Sequence, residues 1–93
     1  MKASEKYSRR KASRLQPGWV IRIDDNFLAE LGYERVTAER YPKIHGMILS
    51  VKDRVDRQVL TIVADGRIFS DYYANDANVN VVQWSIKAQK GDK

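Results

Sequence analysis

The stretch Ile44–Ser70 decides the fold: IHGMILSVK (44–52), DRVD (53–56), RQVLTIVA (57–64), DG (65–66) and RIFS (67–70). Val, Ile, Leu, Phe and Thr dominate three runs, and short polar groups separate them, which is the composition of paired strands. Asp65-Gly66 supplies two adjacent positions that tolerate φ > 0, as a type I′ hairpin turn requires. DRVD is a four-residue link between the first two runs. The stretch predicts a three-stranded antiparallel meander.

Upstream, Gln16-Pro17-Gly18 is a turn signal, and residues 19–24 form the first strand. Trp19, Ile21 and Ile23 share one face, with Val20, Arg22 and Asp24 on the other. Asp24, Asp25 and Asn26 are good N-cap residues for a short helix through Leu31, and Gly32 closes it in the αL conformation. Phe27, Leu28 and Leu31 give that helix an apolar stripe that lids the core. A second short helix over residues 35–40, stopped by Pro42, is expected within a long connection to Lys43. Long ordered connections are where functional residues gather.

Downstream, residues 71–77 read as a compact connector suited to one 3₁₀ turn. Residues 78–87 (NVNVVQWSIK) read as the last strand. Its apolar phase switches at Val81-Val82, which predicts a bulge there or a strand buried on both faces. Trp19 and Trp84, on the first and last strands, are expected to close the core together.

Ninety-three residues suit one small domain. Cysteine is missing from the sequence, which excludes disulfides and thiolate zinc sites and makes a reducing cytoplasm the expected setting. No apolar run approaches the roughly 20 residues of a membrane span, and the charged N-terminus lacks the apolar segment of a secretory signal. The net charge of +5 is unevenly spread. Residues 1–14 carry six cationic side chains and one carboxylate, residues 87–93 three and one, and residues 15–86 eight and ten. The expected organisation is a flexible basic arm (1–14), a folded body (15–87) and a C-terminal tail (88–93). An arm of this kind either binds phosphates by counterion release or only solubilises the chain.

The order strand, long loop, strand, short loop, strand, tight turn, strand, one-turn connector, strand resembles that of the SH3-like small β-barrels. Pro17-Gly18-Trp19-Val20-Ile21 is similar to the Gly-x-Val opening strand of KOW-type and Tudor-like members. His45-Gly46-Met47-Ile48 is similar to the start of their second long strand. The resemblance covers residues 17–86 and departs from the compact KOW pattern in the insertion at residues 25–41. It implies a mainly β fold, a five-stranded SH3-like barrel with a short helix between strands 1 and 2. Many proteins of this shape bind nucleic acid or its machinery, which the resemblance makes an expectation here. An OB-like barrel would carry its helix between strands 3 and 4, where this sequence has none.

Residue chemistry gives an enzyme little footing. His45 is the only histidine and has no nucleophile beside it. The carboxylate pairs Asp24/Asp25 and Asp53/Asp56 fall where caps and turns account for them. The five glycines are isolated, so no phosphate-cradling loop exists, and neither a cofactor nor a metal is expected. The expected activity is nucleic-acid binding, DNA and RNA undistinguished. Arg9, Arg10, Lys11 and Arg14 would reach phosphates, and Lys52, Arg67, Tyr72 and Tyr73, with Phe69 as a further candidate, would line a stacking face. The alternative is a protein-interaction module, of the accessory or inhibitory kind that phages and plasmids encode. It would use a sheet edge or the 25–43 insertion, and the slightly acidic body favours it.

Overall fold

The computed structural model describes residues 6–90, with side chains through Ile86. Its elements are β1 (Tyr7–Lys11), a 3₁₀ turn (Ala12–Arg14), β2 (Val20–Arg22), α1 (Asp25–Glu30), β3 (His45–Asp53), β4 (Arg57–Ala64), β5 (Arg67–Ala74), β6 (Asn78–Val82) and α2 (Gln83–Lys90). The six strands form one antiparallel sheet in the order β1-β6-β2-β3-β4-β5. The fold is mainly β, but the sheet stays open between β1 and β5, so the expected five-stranded closed barrel is corrected.

The meander forms as expected. β4 and β5 pair from Arg57↔Ala74 to Ala64↔Arg67, and the turn between them has φ 53° at Asp65 and 74° at Gly66. β3 pairs with β4 with a register shift between Ile48 and Ser50, so the bulge lies at Leu49; at Val81-Val82 the register does not shift and both residues are buried, the second of the two alternatives expected there. Asp71–Ala74 extend β5 instead of forming a 3₁₀ connector. The reason is local: Tyr72 and Tyr73 are strong strand formers, and each has a partner on β4.

Residues 7–14 are not a flexible arm. β6 would be an exposed edge without them, and β1 covers it over five residue pairs from Tyr7↔Val82 to Lys11↔Asn78. Backbone bonds continue past the strand, from Ala12 N–H to Ala77 O (2.9 Å) and from Ser13 N–H to Asn75 O (3.2 Å). The part of the expected arm before Lys6 lies outside the described residues.

The last strand is shorter than expected. It ends at Val82, and Gln83–Lys90 turn into α2, where Gln, Ala and Lys are good helix formers. Val82, Ser85 and Ile86 are buried at helical spacing, whereas Trp84 is 59% exposed and closes no core. The expected tail therefore begins inside α2 as far as it is described. No second helix forms over residues 35–40: residues 36–39 are bends, closed by the Val36 and Thr37 N–H groups on Arg40 O.

The core lies on one face of the sheet. Ile21, Ile48, Leu60, Ile62, Val79 and Val81 meet Ala12, Leu15, Trp19, Ile23, Leu28 and Ile86 from the flanking segments. α1 is capped as its sequence predicts: the Asp24 carboxylate accepts from Asn26 N–H at 3.1 Å, and Gly32 follows with φ 96°. Phe27 on α1 packs its ring 5.2 Å from that of Phe69 on β5. Ser85 is a staple between α2 and the sheet. Its hydroxyl accepts from Val20 N–H at 3.0 Å and donates to Val82 O at 2.7 Å, and it is 1% exposed.

Gly46 has no room for a side chain. A Cβ there would stand 2.5 Å from Ile62 Cγ2 and 3.1 Å from both Ala64 Cβ and Ile23 Cδ1. Gly46→Ala should cost about 1–3 kcal/mol by overpacking. Ser85→Ala, which strips Val20 N–H of its partner, should cost about 1–3 kcal/mol. Urea midpoints of the two variants check both expectations.

Candidate functional site

Residues directly opposite in an antiparallel ladder share a face, so the register assigns every strand residue to one side of the sheet. The face away from the core carries Tyr7, Arg9 and Lys11 on β1, Arg22 on β2, His45, Met47 and Lys52 on β3, and Arg57 and Tyr72 on β4 and β5. None of its strand residues is Asp or Glu. Both strand carboxylates, Asp53 and Asp71, lie on the core face opposite Gln58 and Leu60.

The outer face is also ordered along the strands. One apolar row crosses the whole sheet: Tyr7, Val82, Val20, Met47, Val63 and Ile68. Met47 and Ile68, 40% and 68% exposed, bring it to the surface. Arg9, Asn80, Arg22 and His45 lie on one side of the row. A hydroxyl row (Ser50, Thr61, Ser70) and then Lys52, Val59 and Tyr72 lie on the other. Arg57 stacks over the exposed Tyr72 ring at 5.3 Å and bonds Asp56 at 3.3 Å. Tyr7 and His45 are joined by a 2.7 Å hydrogen bond between the hydroxyl and Nε2.

The structure disperses some of the residues read as one site. Arg9, Lys11, Lys52 and Tyr72 reach the outer face. Arg10 points to the core side, where its guanidinium lies 5.7 Å over Trp19 and its Nε donates to Ser8 Oγ. Arg14 is exposed on the 3₁₀ turn. Arg67 donates to Leu31 O at 3.0 Å and stacks over Tyr33, which itself donates to Asp65 at 2.6 Å, so it clamps the α1 loop to the β4–β5 turn. Tyr73 faces inward with its hydroxyl buried and cannot stack a base. The reading missed Arg57, whose outward phase was visible in the alternation of RQVLTIVA.

A second feature was not read from the sequence at all. Between α1 and the ends of β5 and β6 lies a cleft of about 400 Å³ whose lining includes Asp24, Phe27, Glu30, Asp71, Tyr72 and Tyr73. A smaller cleft of about 180 Å³ adjoins it where β2 and β6 separate, beside the Arg22–Asp25 pair at 3.7 Å. Asp71 is 7% exposed. Its Oδ1 accepts from Tyr72 N–H at 2.8 Å, but Oδ2 and the Tyr73 hydroxyl are both buried without a well-formed hydrogen bond. Burial pushes the Asp71 carboxyl above its ordinary range, with smaller upward contributions from the Asp24 and Glu30 charges. The nearby Tyr73 hydroxyl and Tyr72 N–H offset part of the rise. Burial, then the Asp71 charge, pushes the Tyr73 hydroxyl up as well.

Among the described residues, no group of three His, Cys, Asp or Glu converges to hold a metal ion, and no helix is long and apolar enough to cross a membrane. The molecule is thus a small antiparallel β protein with one sheet face whose strand residues include cations and no carboxylate, and a separate acidic cleft. No protein-family model, curated protein or solved structure matches the chain.

A carboxyl whose pKa is higher folded than unfolded binds its proton more tightly in the native state, so stability is lost as pH rises from the unfolded value toward the folded one. Asp71→Asn keeps the Tyr72 N–H acceptor and removes the buried charge. It should raise the urea midpoint at pH 7, and the gain should shrink on acidification toward the ordinary Asp range near 3.8.

Proposed function

We propose that this protein binds single-stranded nucleic acid, without catalysing a reaction, on the outer face of its sheet. The observation that carries the reading is the sorting of charge. Arg9, Lys11, Arg22, Lys52 and Arg57 share a face whose strand residues include no carboxylate. Among the described residues only Arg22 and Arg57 of these are ion-paired, with Asp25 and Asp56 of the flanking segments. The exposed Tyr72 ring lies beside Lys52 and Arg57. Cationic side chains beside aromatic and apolar surface are what unpaired bases and their phosphates require. The described residues offer no ion-pair or hydrogen-bond partner to Arg9 or Lys52, so neither cation has a partner to give up on meeting a phosphate. Arg10, Arg67 and Tyr73 have no place in this interface, and cytoplasmic nucleic acid is its natural ligand.

The second reading is a protein-interaction module that adds a partner strand to β5. It has its own support: β5 is an eight-residue edge strand paired only with β4, and long uncovered edges template pairing with another chain.

Fluorescence anisotropy with a labelled single-stranded oligonucleotide separates the two. On the nucleic-acid reading, log affinity falls linearly with log salt, and each of Arg9→Gln, Lys52→Gln and Arg57→Gln lowers the slope by about 0.7. Tyr72→Ala costs about 1–3 kcal/mol by lost stacking, while Arg67→Gln leaves the slope unchanged. Binding that ignores salt defeats the reading. Oligonucleotide binding too weak to measure, together with concentration-dependent dimers abolished by a Pro at Ser70, favours the edge-strand alternative.

A further inference from the structure

β5 is the long open edge of the sheet, and the turn before it decides which of its backbone groups face outward. The two-residue turn has positive φ at both Asp65 and Gly66, so Ala64 and Arg67 exchange both of their backbone bonds, and bonded pairs alternate from there. Phe69, Asp71 and Tyr73 therefore turn their backbone groups to Ile62, Leu60 and Gln58. Ile68, Ser70 and Tyr72 turn theirs to the free edge. The other end of β4 agrees. Arg54 N–H bonds Arg57 O across the β3–β4 turn, which directs Arg57 and its alternates to β3 and leaves Gln58, Leu60 and Ile62 for β5.

One of these edge donors is already taken. Tyr72 N–H donates to Asp71 Oδ1 at 2.8 Å, so a side chain of the strand closes a position that a further strand would need. The carboxylate is held in place: Asp71 is 7% exposed, and the nearby Tyr73 hydroxyl favours its charged form. We propose that Asp71 guards this edge, occupying the Tyr72 N–H so that β5 does not pair with the β5 of a second copy of this chain. A second copy fits the edge. Antiparallel pairing about a two-fold axis through Ser70 sets Ser70 opposite its own counterpart and Ile68 opposite Tyr72 of the copy, with edge-facing backbone groups at each match. That register needs the Tyr72 N–H to meet the Ile68 carbonyl of the copy. It also makes the two Asp71 residues diagonal neighbours on the core side, about 7–8 Å apart, where their charges repel. The Asp24 and Glu30 carboxylates at α1 add to the repulsion, and Leu60, opposite Asp71 on β4, carries no charge to relieve it. Charge is a common protection of uncovered edges, and here it is joined to a hydrogen bond. Asp71 lies on the face away from the proposed phosphate contacts, so the guard stands or falls apart from the nucleic-acid reading. A partner strand added to β5 would first have to displace it.

Sedimentation velocity of the full chain over rising concentration tests the guard. The natural chain should stay monomeric. Asp71→Val suits a strand and frees the Tyr72 N–H. It should raise the affinity of self-association about tenfold or more, because symmetry frees one donor in each copy. Asp71→Asn keeps the acceptor, loses the charge and should fall between the two. Ser70→Pro removes an edge-facing N–H that β4 does not use, and combined with Asp71→Val it should restore the monomer. Amide hydrogen exchange of the natural chain needs no variant: the Tyr72 amide should be protected relative to those of Ile68 and Ser70. Any of four results would overturn the proposal: dimers of the natural chain; a variant at Asp71 that keeps the native amide spectrum and stays monomeric; dimers that survive Ser70→Pro; or a Tyr72 amide that exchanges as fast as its edge neighbours.

Discussion

Ile21 joins the two halves of the sheet. It is paired with Gly46 of β3 on one side and with Val81 of β6 on the other, and that second pairing is the whole register between β2 and β6. β2 stays on β3 along its length, extended by Gly18 and Trp19 bonding Ile48 and by Ile23 bonding Ile44. It leaves β6 after that single residue pair. On one side of Ile21 the orphaned Val20 N–H is taken by Ser85, which fixes the start of α2. On the other side no further residue pair among the described residues joins the two strands, and the opening becomes the smaller cleft. Core and cleft therefore share one origin. Because Gly46 lacks a side chain opposite Ile21, Ile23 and Ile62 can meet over it and close the apolar layer.

The charge of the chain takes its meaning from the same register. Counted by segment, the basic residues belong to the ends and the body is slightly acidic. Counted by face, the partition is different: all the strand cations but Arg10 and Arg67 lie on the outer side, and strand carboxylates are confined to the core side. Alternation does this. Arg9 and Lys11 point outward on the same face as Lys52 and Arg57, while Arg10, between the first two, turns inward to cover Trp19. A cation on a paired strand also loses less conformational freedom on binding than one on a free tail, which favours a fixed face for phosphate contact.

The sequence made the meander legible because hairpin chemistry is local: Asp65-Gly66 and two β-rich runs specify it with no distant partner. The α1 cap and the inward set Trp19, Ile21 and Ile23 were legible for the same reason. The misreadings share a non-local cause. YSRRK (7–11) lacks apolar alternation because β1 is an edge strand whose pairing is carried by backbone groups and whose core-facing residues are Ser8 and Arg10. At the other end, Val82, Trp84 and Ile86 fit a strand by period 2, whereas Val82, Ser85 and Ile86 fit a helix. Helix formers and the Val20 N–H decided for the helix, and neither period alone could. The site was half visible: the outward-facing cations could be nominated by type, but their sides required the register.

Asp71 is where local and global preferences conflict. In the run Asp71-Tyr72-Tyr73-Ala74-Asn75-Asp76, an aspartate reads as turn chemistry, yet the chain continues β5 through it and sets its carboxyl on the core face. Burying that carboxylate costs stability through desolvation, which the Tyr73 hydroxyl and Tyr72 N–H offset only in part, in a domain held folded by only about 5–15 kcal/mol. Packing does not demand that cost, since an asparagine would accept the same Tyr72 N–H without a charge. What only the aspartate offers is an anion at the end of an acidic cleft. Conflicts of this kind gather at functional sites, where a local rule is broken for something other than stability. Asp71 is thereby the strand residue whose charge the pairing of β5 does not explain.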